Sequence, residues 1–236
     1  MKWGVILGTA GLLAGAAVYG SYRYWHPLPP KAHKGKRHIV CIGDSITYGA
    51  GVIPLNPWQS YPAYLQKLLG KAYQTLNFGL SGRTLMSTGD MPYKKETFYD
   101  AALRIPKPHY ILMLGSNDAR EKWWDANRFQ DELTQMLTEL KCCGSVTIML
   151  PPKVFPVERK GEIAFGIRDD LVREVGTILT EVAKSFDIPV IDLYSLTEHH
   201  PEWFPDGVHP NAQGNRQIAQ YIYHALKEDE DVLYWH

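Results

Sequence analysis

Five short apolar runs occur along the chain from His38 onward, and longer segments with helical periodicity separate them. The runs lie at residues 38–43, 72–78, 109–115, 145–151 and 188–193 and read HIVCIG, AYQTLNF, HYILMLG, SVTIMLP and IPVIDL. Runs this short and this continuously apolar are typical of strands that are buried on both faces of a parallel sheet. The pattern therefore predicts five buried strands in one sheet.

The segments between these runs carry apolar residues at helical spacing. They predict helices at residues 58–69, 97–103, 128–142, 167–186 and 211–227. The fourth has one apolar stripe of the kind that faces a protein core, made of Leu171, Val175, Ile178, Leu179, Val182 and Phe186. Alternating strands and helices with right-handed crossovers predict a three-layer α/β fold. In such folds ligands bind outside the carboxyl ends of the strands.

The N-terminus differs from the rest of the chain. Residues 3–22 contain no charged side chain, and about 20 apolar residues are enough to cross a bilayer as a helix. We predict an N-terminal anchor at residues 1–25. The alternative is a cleaved signal peptide, with Lys2 before the apolar stretch and small residues 14–16 as the cleavage site. A buried helix of the folded domain is disfavoured, because the Pro- and Lys-rich residues 26–37 that follow it predict an extended tether.

The side of the membrane on which the remaining domain lies is open. Arg23, Lys31, Lys34, Lys36 and Arg37 follow the apolar segment, and the positive-inside rule would keep the domain in the cytoplasm. An apolar N-terminal segment in an export position argues the other way. We expect an extracytoplasmic domain, either anchored to the membrane or secreted.

Length and composition limit the classes of function. Residues 38–230 suit one domain with a substantial core. The 25 basic and 25 acidic residues balance, so no overall field directs the chain to nucleic acid. Cys41, Cys142 and Cys143 lack the spacing of a metal site or a disulfide framework, and we interpret them as small buried thiols. Nothing in the sequence indicates the oligomeric state.

Polar clusters follow four of the five predicted strands. They are GDS at 43–45, NFGLSGRT at 77–84, GSNDAR at 115–120 and FPDGVHPNAQG at 204–214. The fourth strand instead leads into a long segment, PPKVFPVERKGEIAFG at 151–166. Because it lacks a compact polar cluster, we predict that this segment is a rim or lid loop.

These clusters contain the groups that acyl transfer by a serine requires. Ser45 is the candidate nucleophile, although serine at a strand-to-helix turn is also an ordinary helix cap. His209 is the candidate base, and Asp206, about one helical turn earlier, can orient it. The backbone N–H groups of Ser45 and Gly82 and the side-chain amide of Asn117 are candidate donors to an oxyanion. Taken singly, such an asparagine is more often a turn former and such an Asp–His pair a surface pair.

Two further carboxylates lie beside these candidates. Asp44 precedes Ser45, and Asp118 follows Asn117. Aspartate side chains commonly accept hydrogen bonds from nearby backbone N–H groups. We therefore predict that Asp44 and Asp118 each stabilise their own loop and that Asp206 is the partner of His209.

The order of the motifs GDS, SG, GxND and DxxHP resembles that of the GDSL esterases, also called SGNH hydrolases, over essentially residues 38–226. The resemblance implies a flavodoxin-like sheet in the order 2-1-3-4-5 and a Ser-His-Asp hydrolase that needs no metal or other cofactor. It also implies that Ser45 is the nucleophile and an oxyanion donor, with Gly82 and Asn117 as the other donors. His209 and Asp206 are then the base and its partner.

Loop composition is the guide to the substrate. Aromatic rings with hydrogen-bonding neighbours suit a sugar better than a long acyl chain. The candidate substrate contacts are Arg83, Tyr93, Trp123 and Trp124, although adjacent tryptophans also pack loops onto sheets. The stretches SYPAYLQKLLG and NFGLSGRTL resemble the branch of the family that includes carbohydrate O-acetylesterases. We expect the substrate to be a short acyl ester, chiefly acetyl, of a small molecule or a polysaccharide.

Three other functions remain open at this point. A lipase, lysophospholipase or thioesterase would use the same residues, and a membrane anchor would suit a lipid substrate. A carbohydrate-binding protein that retains the fold without turnover is a second alternative. An acyltransferase with a sugar hydroxyl as acceptor is the third.

Overall fold

A computed structural model describes residues 28–157 and 161–228. Its centre is a five-stranded sheet in which every neighbouring pair is parallel. The strands are β1 (Arg37–Gly43), β2 (Tyr73–Gly79), β3 (Pro108–Met113), β4 (Ser145–Leu150) and β5 (Val190–Asp192). Their order across the sheet is β2-β1-β3-β4-β5. The predicted flavodoxin-like order is confirmed.

Side chains that alternate along each strand divide between two hydrophobic cores. In β1, Val40 and Ile42 enter one core, and Ile39 and Cys41 enter the other. This division follows from the two-residue period of a strand. Because helices cover both faces, every one of these positions is apolar, and the layers form the predicted α/β/α sandwich.

Eight α-helices are found in the described residues, and most of them pack against the sheet. They are α1 (Ser45–Tyr48), α2 (Asn56–Gln59), α3 (Tyr61–Leu69), α4 (Thr97–Leu103), α5 (Ala126–Cys143), α6 (Asp169–Ser185), α7 (Leu193–Thr197) and α8 (Ala212–Glu228). Leu65 of α3 and Ile218 of α8 lie in one core. Leu133 of α5 and Val175 of α6 lie in the core on the opposite face.

One sequence prediction about buried positions is confirmed and another needs correction. The predicted stripe on α6 faces the core, with Val172 as a further buried position and with Leu171 and Phe186, at its two ends, partly buried against the same core. Among the cysteines, Cys41 is buried as expected, and burial raises the pKa of its thiol to about 12. Cys142 is exposed and Cys143 partly buried, because both lie in the last turn of α5, where the buried stripe ends at Leu140.

The predicted anchor or signal segment at residues 1–25 lies outside the described residues. The described part of the tether runs beside β2, because the Gln74 side chain accepts from the His33 backbone N–H and donates to the Lys31 carbonyl. Within residues 28–157 and 161–228, no helix has the length and apolar character that crossing a membrane requires. The predicted domain bounds remain a prediction.

Candidate active site

The loops that carry the sequence motifs meet at the carboxyl edge of the sheet. β1 lies between β2 and β3, and its last residue, Gly43, pairs with Gly79 on one side and Met113 on the other. The GDS, SG and GxND loops therefore start at adjacent positions. This topology brings together residues that are far apart in the sequence.

Ser45 is the first residue of α1 and is buried. The cap of this short helix is the preceding residue, because the Asp44 side chain accepts a hydrogen bond of 2.9 Å from the Ile46 backbone N–H. The predicted turn-stabilising role of Asp44 is thus confirmed. Since Asp44 caps the helix, the Ser45 hydroxyl is free for another contact.

That contact is with His209. The distance from Ser45 Oγ to His209 Nε2 is 2.8 Å, and the distance from His209 Nδ1 to Asp206 Oδ2 is 2.6 Å. An ionised carboxylate only accepts hydrogen bonds, so Nδ1 carries the ring proton and Nε2 accepts from the serine hydroxyl. The structure therefore joins the three predicted catalytic residues in one line of hydrogen bonds.

Asp206 is held for this role by its own backbone. Its Oδ1 accepts from the backbone N–H groups of Val208, at 3.0 Å, and His209, at 2.7 Å. Burial raises the pKa of Asp206, but the hydrogen bonds from the His209 side chain and backbone outweigh burial and lower it to about 2. The carboxylate is therefore ionised at neutral pH and fixes the imidazole tautomer.

The turn between Asp206 and His209 depends on Gly207. This residue has a φ of +81°, which favours glycine. A Cβ at this position would lie 2.1 Å from the Phe155 carbonyl oxygen, and the Phe155 N–H donates to the Gly207 carbonyl. The DGVH turn is thus fixed against the start of the loop that follows β4.

The predicted oxyanion donors adjoin one another. Asn117 Nδ2 lies 3.1 Å from the Arg83 carbonyl oxygen and 3.4 Å from Asp44 Oδ2. Its amide thus meets the sequence neighbours of both Gly82 and Ser45. Within residues 28–157 and 161–228, the backbone N–H groups of Ser45 and Gly82 have no protein acceptor. The three candidate donors therefore lie on neighbouring loops, with the Asn117 amide directed at the Arg83 carbonyl and the Asp44 carboxylate.

Arg120 fixes the orientation of the Asn117 amide, a role that sequence reasoning missed. Arg120 Nη2 donates to Asn117 Oδ1 over 2.9 Å. Because the amide oxygen is engaged in this way, the NH₂ group of Asn117 faces the Arg83 carbonyl and Asp44. The guanidinium also polarises the amide, which strengthens it as a donor.

This arrangement gives a prediction for both residues. Asn117→Ala is expected to lower kcat by about 10²–10³-fold with little change in KM, because one oxyanion donor is lost. Arg120→Met is expected to lower kcat by about tenfold, as for loss of a charge-assisted hydrogen bond. Steady-state kinetics on a short acyl ester measure both effects.

A double-mutant cycle separates positioning from general stabilisation. If Arg120 acts through Asn117, Arg120→Met has no further effect on kcat in the Asn117→Ala background. Arg128→Met is the matched control, because Arg128 pairs with Asp125 and Glu132 on the surface of α5. Equal losses from Arg120→Met in both backgrounds would contradict the positioning role.

Asp118 has a different structural role from the one the sequence predicted. Its two oxygens accept from the backbone N–H groups of Leu85 and Met86, at 2.9 and 2.7 Å. Asp118 therefore fixes the loop after β2, not its own loop. Burial raises the pKa of Asp118 to about 7 and that of Asp44 to about 6. In the described part of the chain, no cluster of three or more His, Cys, Asp or Glu side chains is arranged to hold a metal ion.

The four predicted substrate contacts have different surroundings. Arg83 lies beside the site but pairs with Glu96 at 2.9 Å. Tyr93 is fully buried, and its hydroxyl donates to the Phe78 carbonyl. The structure thus places the Tyr93 ring in the core and not at the surface of the site, because its hydroxyl finds a partner in the interior.

Trp124 packs beside α5 and α6, and Trp123 has different neighbours. The Trp124 ring lies 5.4 Å from the Phe129 ring, and its Nε1 donates to Glu174. Lys122 Nζ lies 4.2 Å from the centroid of the Trp123 ring. Both side chains are partly buried against the core. These contacts agree with the alternative interpretation that the two tryptophans pack their loop onto the rest of the domain. A substrate contact at either residue remains a prediction.

An aromatic residue that sequence reasoning missed lies next to His209. The ring centroids of Phe165 and His209 are 5.3 Å apart, with an interplanar angle of 67°. Phe165 belongs to the long loop after β4, which was predicted as a rim or lid. A single aromatic residue in an irregular loop produces no periodic pattern in the sequence. The one feature that could have identified Phe165 as a site residue was its place in a loop at the carboxyl edge of the sheet.

Fold and site together define a class of protein. It is a three-layer α/β domain in which Ser45, His209 and Asp206 are joined by hydrogen bonds, beside the candidate oxyanion donors, at the carboxyl edge of a parallel sheet. The sequence profile of the GDSL-like lipase/acylhydrolase family matches residues 41–217. The chain belongs to this family.

Individual relatives add detail. An acetylxylan esterase from Xylanibacter ruminicola is 31% identical over 221 residues, which cover 86% of this chain and 46% of the relative. The chain thus spans about half the length of that protein. The solved structure of a carbohydrate acetylesterase from Sinorhizobium meliloti superposes with a TM-score of 0.65 at 19% identity, covering 82% of this chain and 99% of the other. An aryl esterase from M. smegmatis gives 0.68 at 19% identity, with coverage of 81% and 99%. Both structures share the fold.

Proposed function

We propose that the protein is a serine esterase that removes short acyl groups, chiefly acetyl, from a carbohydrate through an acyl-enzyme. The main support for the proposal is the pair of hydrogen bonds that connects Asp206, His209 and Ser45. The distance from Asp206 Oδ2 to His209 Nδ1 is 2.6 Å, and that from His209 Nε2 to Ser45 Oγ is 2.8 Å. Membership of the acylhydrolase family supports the reaction class. The name of the acetylxylan esterase relative supports the substrate class.

The first half of the reaction forms the acyl-enzyme. Ser45 Oγ attacks the ester carbonyl carbon while its proton passes to His209 Nε2, and Asp206 stabilises the imidazolium. The carbonyl oxygen becomes an oxyanion, which accepts from the Ser45 and Gly82 N–H groups and the Asn117 amide. When the intermediate collapses, the bond to the alcohol breaks and His209 donates its proton to the leaving oxygen.

The second half returns the enzyme to its starting state. A water molecule takes the place of the alcohol, and His209 removes a proton from it as it attacks the acyl carbon. The same donors stabilise the second oxyanion. Collapse breaks the bond to Ser45 Oγ, which recovers its proton from His209, and releases the carboxylic acid.

The proposal extends to location. Residues 1–25 have the sequence character of an anchor or a signal segment. A domain held outside the cytoplasm, or secreted, would meet polysaccharide directly. The proposed carbohydrate substrate and the proposed extracytoplasmic location therefore agree.

A screen of esters tests the proposed function. The wild-type protein is expected to hydrolyse 4-nitrophenyl acetate much faster than 4-nitrophenyl palmitate, and to release acetate from acetylated xylo-oligosaccharides. Equal or reversed chain preference would contradict the acetylesterase assignment and favour a lipase or thioesterase. Sugar binding without turnover of any ester would favour a binding protein.

A further inference from the structure

We propose that Phe165 forms a subsite for the alcohol part of the ester, the sugar ring that leaves in the first half of the reaction. The inference rests on the proposed esterase function and adds to it the residue that recognises the leaving group. Its ligand is a ring-shaped alcohol, such as a pyranose, that lies against an aromatic side chain. None of the four substrate contacts predicted from the sequence occupies this position.

Phe165 lies beside His209 and is exposed to solvent. Its ring meets the His209 ring edge to face, at 5.3 Å between centroids, yet Phe165 remains 57% exposed. Large apolar side chains are exposed singly on many proteins without a role. An exposed ring in contact with a catalytic imidazole is different, because a bound substrate must pass beside it.

Phe165 is held in place by its neighbours. Ile167 is buried, and the Arg168 N–H donates to the Ala119 carbonyl over 2.9 Å. Ala119 follows the GxND motif, so the Phe165 segment is attached to the loop that carries Asn117. Ile163 and Ala164, on the other side of Phe165, pack against the core.

The backbone of Phe165 has a strained conformation. Its φ and ψ are +64° and 12°, in the left-handed region that bulky residues rarely adopt. Strain of this kind persists where surrounding structure imposes it, and it is concentrated at functional sites. Here the surrounding anchors hold the ring against His209.

The chemistry of the reaction decides which part of the substrate this ring meets. His209 must donate its proton to the leaving oxygen, so the alcohol has to lie on the His209 side of the scissile bond. The oxyanion donors Gly82 and Asn117 lie on the loops after β2 and β3. Phe165 touches His209, so it lines the alcohol side of the site.

An aromatic face suits a sugar ring in particular. The face of the ring is negative and attracts the polarised C–H groups that a pyranose presents on its flat side. Such contacts contribute modestly to binding, so the residue should affect preference among alcohols more than the chemical step. The proposed subsite can therefore be detected as a change in the preference among esters that differ only in their alcohol.

The test uses acetate esters that share the acyl group and differ in the alcohol. We expect Phe165→Ala to lower kcat/KM about three- to tenfold for an acetylated methyl xyloside and for cyclohexyl acetate. For ethyl acetate, kcat/KM should change less than about twofold, because ethanol is too small to cover the ring. Phe165→Tyr should restore wild-type values, and Tyr221→Ala, an exposed aromatic residue on α8, is the matched control.

Further readouts make the inference falsifiable. Breakdown of the acetyl-enzyme, followed after a burst with 4-nitrophenyl acetate, should be equal in wild type and Phe165→Ala, because the alcohol has already left. A changed ratio of acetate to butanoate turnover at constant alcohol would place Phe165 on the acyl side and overturn the proposal. Equal losses on ethyl and cyclohexyl acetate would also overturn it.

The same series distinguishes failure of the inference from failure of the proposed function. If wild type cleaves ethyl and cyclohexyl acetate but not the xyloside, the carbohydrate assignment fails. In that case the comparison of ethyl with cyclohexyl acetate still decides the role of Phe165. A larger effect of Phe165→Ala on the cyclohexyl ester would support the subsite, and an equal effect would reject it.

Discussion

Replacing Ser45 with alanine is expected to lower kcat for ester hydrolysis by about 10⁶-fold, the scale seen when a serine nucleophile is removed from a catalytic triad. The reason is that Ser45 Oγ, 2.8 Å from His209 Nε2, is the atom proposed to form the covalent bond. Without it, the candidate oxyanion donors and base would remain, but no acyl-enzyme could form. Steady-state rates on 4-nitrophenyl acetate measure the loss.

Controls show whether the loss is specific. Ser185→Ala removes a hydroxyl that donates to the Val182 carbonyl of its own helix, so it should leave kcat unchanged. The double variant Ser45→Ala/His209→Ala should be no slower than Ser45→Ala alone, because the residues act as a unit. A loss below about 100-fold in Ser45→Ala would contradict the assignment of the nucleophile.

Replacing Asp206 with asparagine is expected to lower kcat by about 10⁴-fold while leaving the fold intact. Asp206 Oδ1 accepts two backbone N–H groups, so the asparagine oxygen would occupy that place. Its NH₂ group would then face His209 Nδ1 and force the proton onto Nε2. An imidazole in that tautomer cannot accept the proton of Ser45.

A control variant distinguishes the change of the His209 tautomer from the loss of a hydrogen bond between an aspartate side chain and the backbone. Asp192 also accepts a backbone N–H, from Ser195 at the start of α7. Asp192→Asn should therefore reduce stability somewhat, seen as a lower thermal unfolding midpoint, without a large change in kcat. If Asp206→Asn loses less than about tenfold in kcat, Asp206 is not the group that orients His209.

The strands were predictable because burial on both faces leaves an unmistakable apolar pattern. The run at 38–43 corresponds to β1 (Arg37–Gly43) and that at 145–151 to β4 (Ser145–Leu150). The fifth strand is shorter than its run, because only Val190–Asp192 pair with β4. Apolar residues that flank a strand make the apolar run in the sequence longer than the segment that pairs with the neighbouring strand.

Helix boundaries depend on local backbone geometry that periodicity does not report. The helix predicted at 58–69 is two helices, α2 and α3, because Ser60 between them is extended, with φ −68° and ψ 155°. Pro57 and Pro62 each lie in a first helical turn, where proline is tolerated. The two prolines indicated that two helices start in this segment. The break at Ser60 was missed because the helical spacing of apolar residues continues across it.

The grouping of the candidate triad and oxyanion donors was predictable, because parallel strands bring their carboxyl-end loops together. The order of motifs specified Ser45, Gly82, Asn117, Asp206 and His209, and the structure brings these residues together. The substrate side was less accessible to sequence reasoning. Choosing candidates from the composition of the polar loops led to Tyr93, whose ring lies in the core. The same choice missed Phe165, because that residue reaches His209 from a long irregular loop.

The proposed reaction requires covalent acylation of Ser45, which a labelling experiment tests. The full-length protein is treated with a fluorophosphonate and digested, and its peptides are examined by mass spectrometry. We predict one adduct, on Ser45, that appears as esterase activity is lost and is absent from His209→Ala. Inactivation with the label on another residue, or undiminished turnover with Ser45 fully labelled, would contradict it.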